Sequence, residues 1–317
     1  MSGKLAVVLS GGGAKGAFQV GALEALIHDR GVRPDIVVGT STGAIQALGV
    51  AQDDVAGLRD IWLGLDGNGD IYRQRGGPLL AALTSKKGLY DTAPLRALLR
   101  RFARPDRLSA SPVDLHLGVV SLKTGQFRTI DKGAAAHIAD WVYASCAMPV
   151  FFDPLEDAGG EQWVDGGVTD VTPLGAALAL NPTGVLVIRA SPTAKAAGTK
   201  HYGGLLPIAQ RAVDLLQAEV SRNDLANTAL INDILAARGA MLPLLMAEGL
   251  SGSQIAAVLA PLDRQIAQYR FARISVIEPD RNYSDTLEFD PAKIRAGMAA
   301  GRRAVDEQWD AIRQVLP

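Results

Sequence analysis

Ser41 lies in Gly39-Thr40-Ser41-Thr42-Gly43, a Gly-x-Ser-x-Gly turn that follows a short apolar run and leads into a helical pattern. That form puts a serine on a tight strand-to-helix bend with its hydroxyl clear of the backbone, and the neighbours must be small because side chains there would clash. A serine so placed is suited to attack on a carbonyl carbon. A neutral hydroxyl is a weak nucleophile, so it needs a partner that accepts its proton as the new bond forms. The four histidines, His28, His116, His137 and His201, lie in no glycine-bounded or otherwise distinctive context. Asp165 does. In Trp163-Val164-Asp165-Gly166-Gly167 an apolar lead-in delivers a carboxylate to a bend where two glycines leave room for close backbone approach. An earlier turn, Gly11-Gly12-Gly13-Ala14-Lys15-Gly16, offers N–H groups unhindered by Cβ atoms, suited to the negative oxygen of a tetrahedral intermediate. Together these residues point to a serine nucleophile, Ser41, with Asp165 as its base and the first glycine turn as its oxyanion hole.

The elements that must hold these groups are legible around them. Residues 5–9 read as a buried strand, 16–28 as a helix whose Phe18, Ala22, Leu23, Leu26 and Ile27 share one face, and 35–38 as a second strand. Strand, helix and strand within about thirty-five residues make a βαβ unit, which implies parallel pairing and a sheet covered on both faces. Ligands of such sheets gather at the strand C-termini, and both glycine turns fall there. Further on, glycines and charges over 66–88 suggest a surface excursion, and Thr92-Ala93-Pro94-Leu95 opens a helix through 102. Strands are expected over 114–121, 126–130, 185–188 and 271–277, and a helix over 138–146. The region 203–268 is mostly helical in pattern, and Asp290-Pro291 caps a final helix over 291–315.

Composition narrows the classes of function. Of 317 residues, 48% are hydrophobic and 21% charged, ordinary globular values that exclude a disordered chain. With a net charge of −1 and no dense basic cluster, nucleic acid is a poor partner. The lone Cys146 excludes an intrachain disulfide and a multi-cysteine zinc site, and it reads as a small buried hydrophobe rather than a nucleophile. The apolar run at 5–9 is too short for a signal-peptide core. No stretch is expected to approach the ~20 apolar residues of a membrane span, so the chain reads as soluble and cytoplasmic, with peripheral lipid contact open. Leu242, Leu244, Leu245, Met246 and Leu250 are expected in a core rather than in a lipid-facing lid. Arg302, Arg303 and Arg313 read as a solvated helix face.

The ordered set of turns, with Ser145-Cys146-Ala147-Met148-Pro149 and Phe151-Phe152 ahead of the aspartate, resembles the patatin-like phospholipase family over roughly residues 5–190. The resemblance implies a three-layer α/β/α fold with a mainly parallel central sheet, in one catalytic domain spanning 1–317. It also implies hydrolysis of fatty acyl esters, of phospholipid or lysophospholipid type, through an acyl-serine formed on Ser41 with Asp165 as base. No metal or organic cofactor is implied. Gly11, Gly12 and Gly13 match the family's oxyanion turn and Lys15 its basic position, with Gly16, Gly39, Gly43, Gly166 and Gly167 completing the motifs. Lysine stands where arginine is frequent, and Thr42 follows the nucleophile where alanine is common. An aspartate with an ordinary pKa of about 3.9 is a feeble base in water. Burial that raises it, N–H donors aimed at the oxyanion and the positive end of the helix after Ser41 would have to compensate.

Rival readings compete for the same residues. Gly11-x-Gly13-x-x-Gly16 also fits a dinucleotide-binding fingerprint, but the acidic residue of that pattern belongs near the end of the second strand, whereas Asp35 starts it. A Ser-His-Asp hydrolase using Ser41, Asp165 and His201 has the right chain order, yet that fold places several strands before its nucleophile. Acyl transfer to an alcohol is the close variant, because an acyl-enzyme does not record whether water or another hydroxyl attacks it.

Overall fold

The structure, a computed structural model, describes residues 3–76, 87–193, 201–267 and 269–317. Among them the strands in chain order are β1 (Leu5–Leu9), β2 (Ile36–Thr40), β3 (Arg73–Gln74), β4 (Tyr90–Asp91), β5 (Asp114–Ser121), β6 (Phe127–Asp131), β7 (Leu155–Glu156), β8 (Gln162–Asp165), β9 (Gly184–Ile188) and β10 (Arg273–Ile277). The main sheet has the order β10-β9-β1-β2-β5-β8-β7, with β6 also paired to β5, and β3 and β4 form a separate two-stranded ribbon. From β10 through β5 every pairing is parallel, while β8 and β6 run antiparallel to β5.

Every residue of β1, β2 and β9 is buried, as central strands covered on both faces require. The two-residue period divides their side chains between two cores. Leu5, Val7, Leu9, Val37, Leu186 and Ile188 face one layer of helices, and Ala6, Val8, Ile36, Val38, Val185 and Val187 face the other. The first layer contains α1 (Ala17–Leu23), α2 (Thr42–Ala51), α3 (Val55–Leu63), α4 (Ala93–Phe102), α5 (Pro105–Ala110) and α6 (Ile138–Cys146). The second contains α7 (Leu174–Leu178) and part of α8 (Leu205–Ala247), whose Leu225 packs on that face. The chain then forms α9 (Gly252–Ile266), α10 (Pro291–Glu307) and α11 (Trp309–Arg313), with α10 returning to the first layer. The result is the expected three-layer α/β/α architecture.

Several expectations are revised. The first helix is regular only over Ala17–Leu23 and continues as a wider π turn through Asp29. The final helix is interrupted at Gln308 (φ −104°, ψ 10°), which brings Trp309 under the Arg30 guanidinium at 4.7 Å and turns Ile312 into the core. The excursion over 66–88 lies partly outside the described residues, and its described part is not all surface: Ile71 and Tyr72 are buried, and the Tyr72 hydroxyl donates to the Leu287 carbonyl at 2.6 Å.

The largest correction concerns α8. Leu244 and Met246 are 66% and 68% exposed, and Leu242, Leu245 and Leu250 are only half-buried, so they are not the core expected of them. Nor are they a lid. Asp214 reaches Lys15 beside the first glycine turn, whereas Asn232 donates to the Ala272 carbonyl at 2.9 Å, just before β10 begins. Because β10 runs parallel to β1, that contact lies at the edge of the sheet opposite Ser41. The remaining turns of α8 and the returning α9, tied by Arg238 and Asp263 at 2.8 Å, stand beyond that far edge for roughly 20 Å. The expectation about membrane-length stretches also changes: Pro207–Ala247 is long and apolar enough to cross a membrane by length and composition, with mean hydropathy 1.4 over a window none of which is buried. Asn232, Asp233 and Arg238 interrupt the apolar run to the eye without lowering the average enough to matter.

Candidate active site

The bend at Ser41 is built by close approach. A Cβ on Gly39 would lie 2.2 Å from the Gly43 carbonyl oxygen, and one on Gly43 would lie 2.2 Å from that of Leu9, so β2 can turn into α2 only with glycine at both places. Ser41 itself takes φ 57° and ψ −128°, a strained conformation for a residue with a side chain, costing about 1–3 kcal/mol. Its backbone is held by neighbours. The Ser41 N–H donates to Ser145 Oγ at 2.9 Å, Ser145 Oγ donates to the Gly118 carbonyl at 2.6 Å, and the Cys146 thiol donates to the Ser41 carbonyl at 3.2 Å.

Asp165 ends β8, which is antiparallel to β5 and thereby delivers its last residue beside the C-terminal end of β2. The carboxylate is 2% exposed and accepts the Gly167 N–H at 2.7 Å, and the Ser41 hydroxyl lies near enough to act as a second donor that favours its charged form. Burial pushes its pKa from the ordinary 3.8 up to about 7 against the pull of those two donors. The Asp165 N–H donates to the Ala147 carbonyl at 3.0 Å, so the segment from Ser145 to Phe152 abuts the carboxylate. Gly166 lies against β5, where a Cβ would come within 2.6 Å of the Gly118 carbonyl oxygen.

The first glycine turn lies alongside. A Cβ on Gly11 would sit 3.1 Å from Ser41 Cβ. The proposed cradle narrows, however, because the Gly11 N–H already donates to the Val171 carbonyl at 2.9 Å and the Ala14 N–H to that of Thr286 at 2.9 Å. Of the turn's first four residues, this leaves the Gly12 and Gly13 N–H groups not engaged by these backbone bonds. Gly13 has φ 57°, and a Cβ there would fall 2.0 Å from the Thr286 carbonyl oxygen. Gly16 is the point where α1 meets α2, with Thr42 and Gln46 filling the space a side chain would need. Lys15 forms an ion pair with Asp214 of α8 at 3.5 Å.

Ser41 and Asp165 open onto an apolar cavity of about 60 Å³, lined among others by Ile45, Trp62, Leu95, Met148, Phe152 and Phe289. None of the four histidines lines it, and His201 is exposed. Cys146 does line it, but burial and the nearby Asp165 charge push its thiol pKa well up, which suits a protonated packing residue. Asp35 accepts the Leu5 N–H at 2.8 Å where β2 begins, at the far edge of the sheet from the glycine turn, so it is not placed to meet a ribose there. Among the described residues no group of three or more His, Cys, Asp or Glu side chains could hold a metal ion.

Three residues play parts of which the sequence holds no sign, although Ser145 stands in the segment singled out ahead of Asp165. Ser145 supports the strained Ser41 backbone through its hydroxyl, and Thr286 braces the glycine turn from a position 272 residues down the chain from Ala14, a separation that leaves no local signal. Asp170, in the loop after Asp165, lies beside Asp224 of α8, whose carboxylate accepts the Thr172 N–H at 3.4 Å. Burial, and for Asp170 the neighbouring carboxylate as well, raise both pKa values.

The sequence model of the Patatin family, described as patatin-like phospholipase, matches residues 7–178, more than half of the chain. Among solved structures, the crystal structure of VipD from Legionella pneumophila is similar with a TM-score of 0.42 and 18% identity, covering 97% of this chain and 67% of that one. A search of curated protein sequences gives no match.

Proposed function

Since the chain belongs to the patatin-like phospholipase family, and with it to the lipid acyl hydrolases in general, we propose that it cleaves fatty acyl esters through an acyl-serine formed on Ser41 with Asp165 as the base. The observation that carries this reading is the buried Asp165 carboxylate beside Ser41 at the mouth of an apolar cavity that both residues line.

The steps follow from those contacts. Ser41 Oγ attacks the ester carbonyl carbon while its proton passes to Asp165, and the carbonyl oxygen becomes an oxyanion facing the Gly12 and Gly13 N–H groups. Collapse of the tetrahedral intermediate breaks the ester C–O bond, and Asp165 returns the proton to the departing alcohol. A water then attacks the acyl-serine, giving its proton to Asp165, and Ser41 leaves with that proton as the fatty acid is released. A pKa of about 7 makes Asp165 a far better proton acceptor at neutral pH than an ordinary aspartate. The end of α2 at Thr42 adds the favourable dipole of a ten-residue helix.

The test is intact-mass analysis after treatment with a fluorophosphonate, with p-nitrophenol release from medium-chain esters measured in parallel. A single adduct that disappears in Ser41→Ala, with turnover lost in both Ser41→Ala and Asp165→Asn, supports the proposal. An adduct elsewhere, or turnover that survives Asp165→Asn, overturns it.

A further inference from the structure

The apolar cavity beside Ser41 does not end against the bulk of the protein. Ile61 and Leu65, from the end of α3 and the turn after it, and Leu98 of α4 line it, and the same three side chains line a second cavity of about 510 Å³ between α3 and α4. At that point the wall is one side chain thick. Ile61 and Leu98 are only half-buried, while the Leu65 side chain between them is 4% exposed.

The two sides of the wall differ in chemistry. Towards Ser41 the neighbours are Trp62, Ile71 and Leu95. On the far side the second cavity carries Asp60, Asp70, Arg73, Arg101 and Arg104, and the exposed Gly64 and Gly69 leave it open to solvent. A methylene chain is stabilised on the first side and gains nothing from meeting hydrated charges on the second. We propose that Ile61, Leu65 and Leu98 form a stop that sets the length of acyl chain accepted beside Ser41, and that trimming Leu98 opens a passage from the acyl cavity into the charged cleft. This rests on the acyl-serine reading above and adds to it the feature of the substrate that the cavity measures.

Leu98→Ala removes three carbons from the wall, room for about two further methylenes of substrate, and each buried methylene is worth roughly a fourfold change in preference. The experiment measures kcat/KM on p-nitrophenyl esters from butanoate to hexadecanoate for wild type, Leu98→Ala and Leu98→Phe. In Leu98→Ala the preferred chain is expected to lengthen by about two carbons, with the ratio of long-chain to butanoate turnover rising on the order of tenfold. In Leu98→Phe the preferred chain shortens. Ile61→Ala, on the same wall, carries the same expectation as Leu98→Ala should that variant fail to fold. Folded variants that all keep the wild-type chain-length profile overturn the stop while leaving the acyl-serine reading standing. Wild-type protein that turns over no ester in the series and takes no fluorophosphonate adduct overturns that reading and the stop with it.

Discussion

Asp165→Asn separates the cost of burying the carboxyl from its use. In the folded chain the Asp165 pKa is pushed up to about 7, against an ordinary 3.8. Between those values the folded carboxyl keeps its proton while the unfolded one has lost it. The folded state therefore binds more protons, and stability falls as pH rises through that window. The gap corresponds to on the order of 4 kcal/mol, lost in full above pH 7. Asparagine keeps an acceptor oxygen for the Gly167 N–H and never ionises. Urea unfolding of wild type and Asp165→Asn at pH 5, 6, 7 and 8 reads the difference directly, and the raised Asp170 and Asp224 carboxyls, present in both proteins, cancel. The variant's relative stability is expected to grow by roughly 2.5 kcal/mol between pH 5 and pH 8, the rest of the gap having closed below pH 5, while its ester turnover is lost. Wild-type kcat/KM should fall about tenfold for each pH unit below 7, as the base becomes protonated. A stability difference that stays constant with pH, together with wild-type turnover flat from pH 5 to 8, would show a carboxylate ionised throughout and refute the reasoning.

Gly13→Ala must clear the Thr286 carbonyl oxygen from a left-handed backbone, so it is expected to lower the unfolding free energy by more than about 1–3 kcal/mol and to cut turnover at least a hundredfold. A folded, fully active variant would show that the turn does not hold the oxyanion. Ser145→Ala leaves the Ser41 N–H and the Gly118 carbonyl without their shared hydroxyl, at a cost of about 1–3 kcal/mol in denaturant unfolding, and kcat should fall more than KM rises, because the nucleophile's bend loosens. Leu244→Ser with Met246→Ser changes exposed residues at the edge of the sheet remote from Ser41, so turnover of a water-soluble ester should stay within twofold of wild type and stability within about 0.5 kcal/mol. A tenfold loss of that turnover would place the hairpin over the site after all.

The local parts of this protein are written in the sequence because their physics is local. A run of buried apolar residues such as Leu5–Leu9, a Gly-x-Ser-x-Gly bend and an Asp-Gly-Gly end each demand particular residues at fixed spacing, whatever the rest of the chain does. Parallel pairing and a site at the strand C-termini follow from the βαβ spacing alone. The tertiary structure decided what depends on distant partners. Gly11 lost its N–H to Val171, Ser41 found its support in Ser145, and Lys15 was claimed by Asp214, contacts set by packing rather than by neighbours in the chain. Burial of Asp165, and with it the raised pKa, exists only once β8 is laid against β5. The misplacement of Leu244 and Met246 has the same origin. An apolar residue in a helix is drawn towards a core only where the fold supplies one, and α8 outruns the sheet before reaching them.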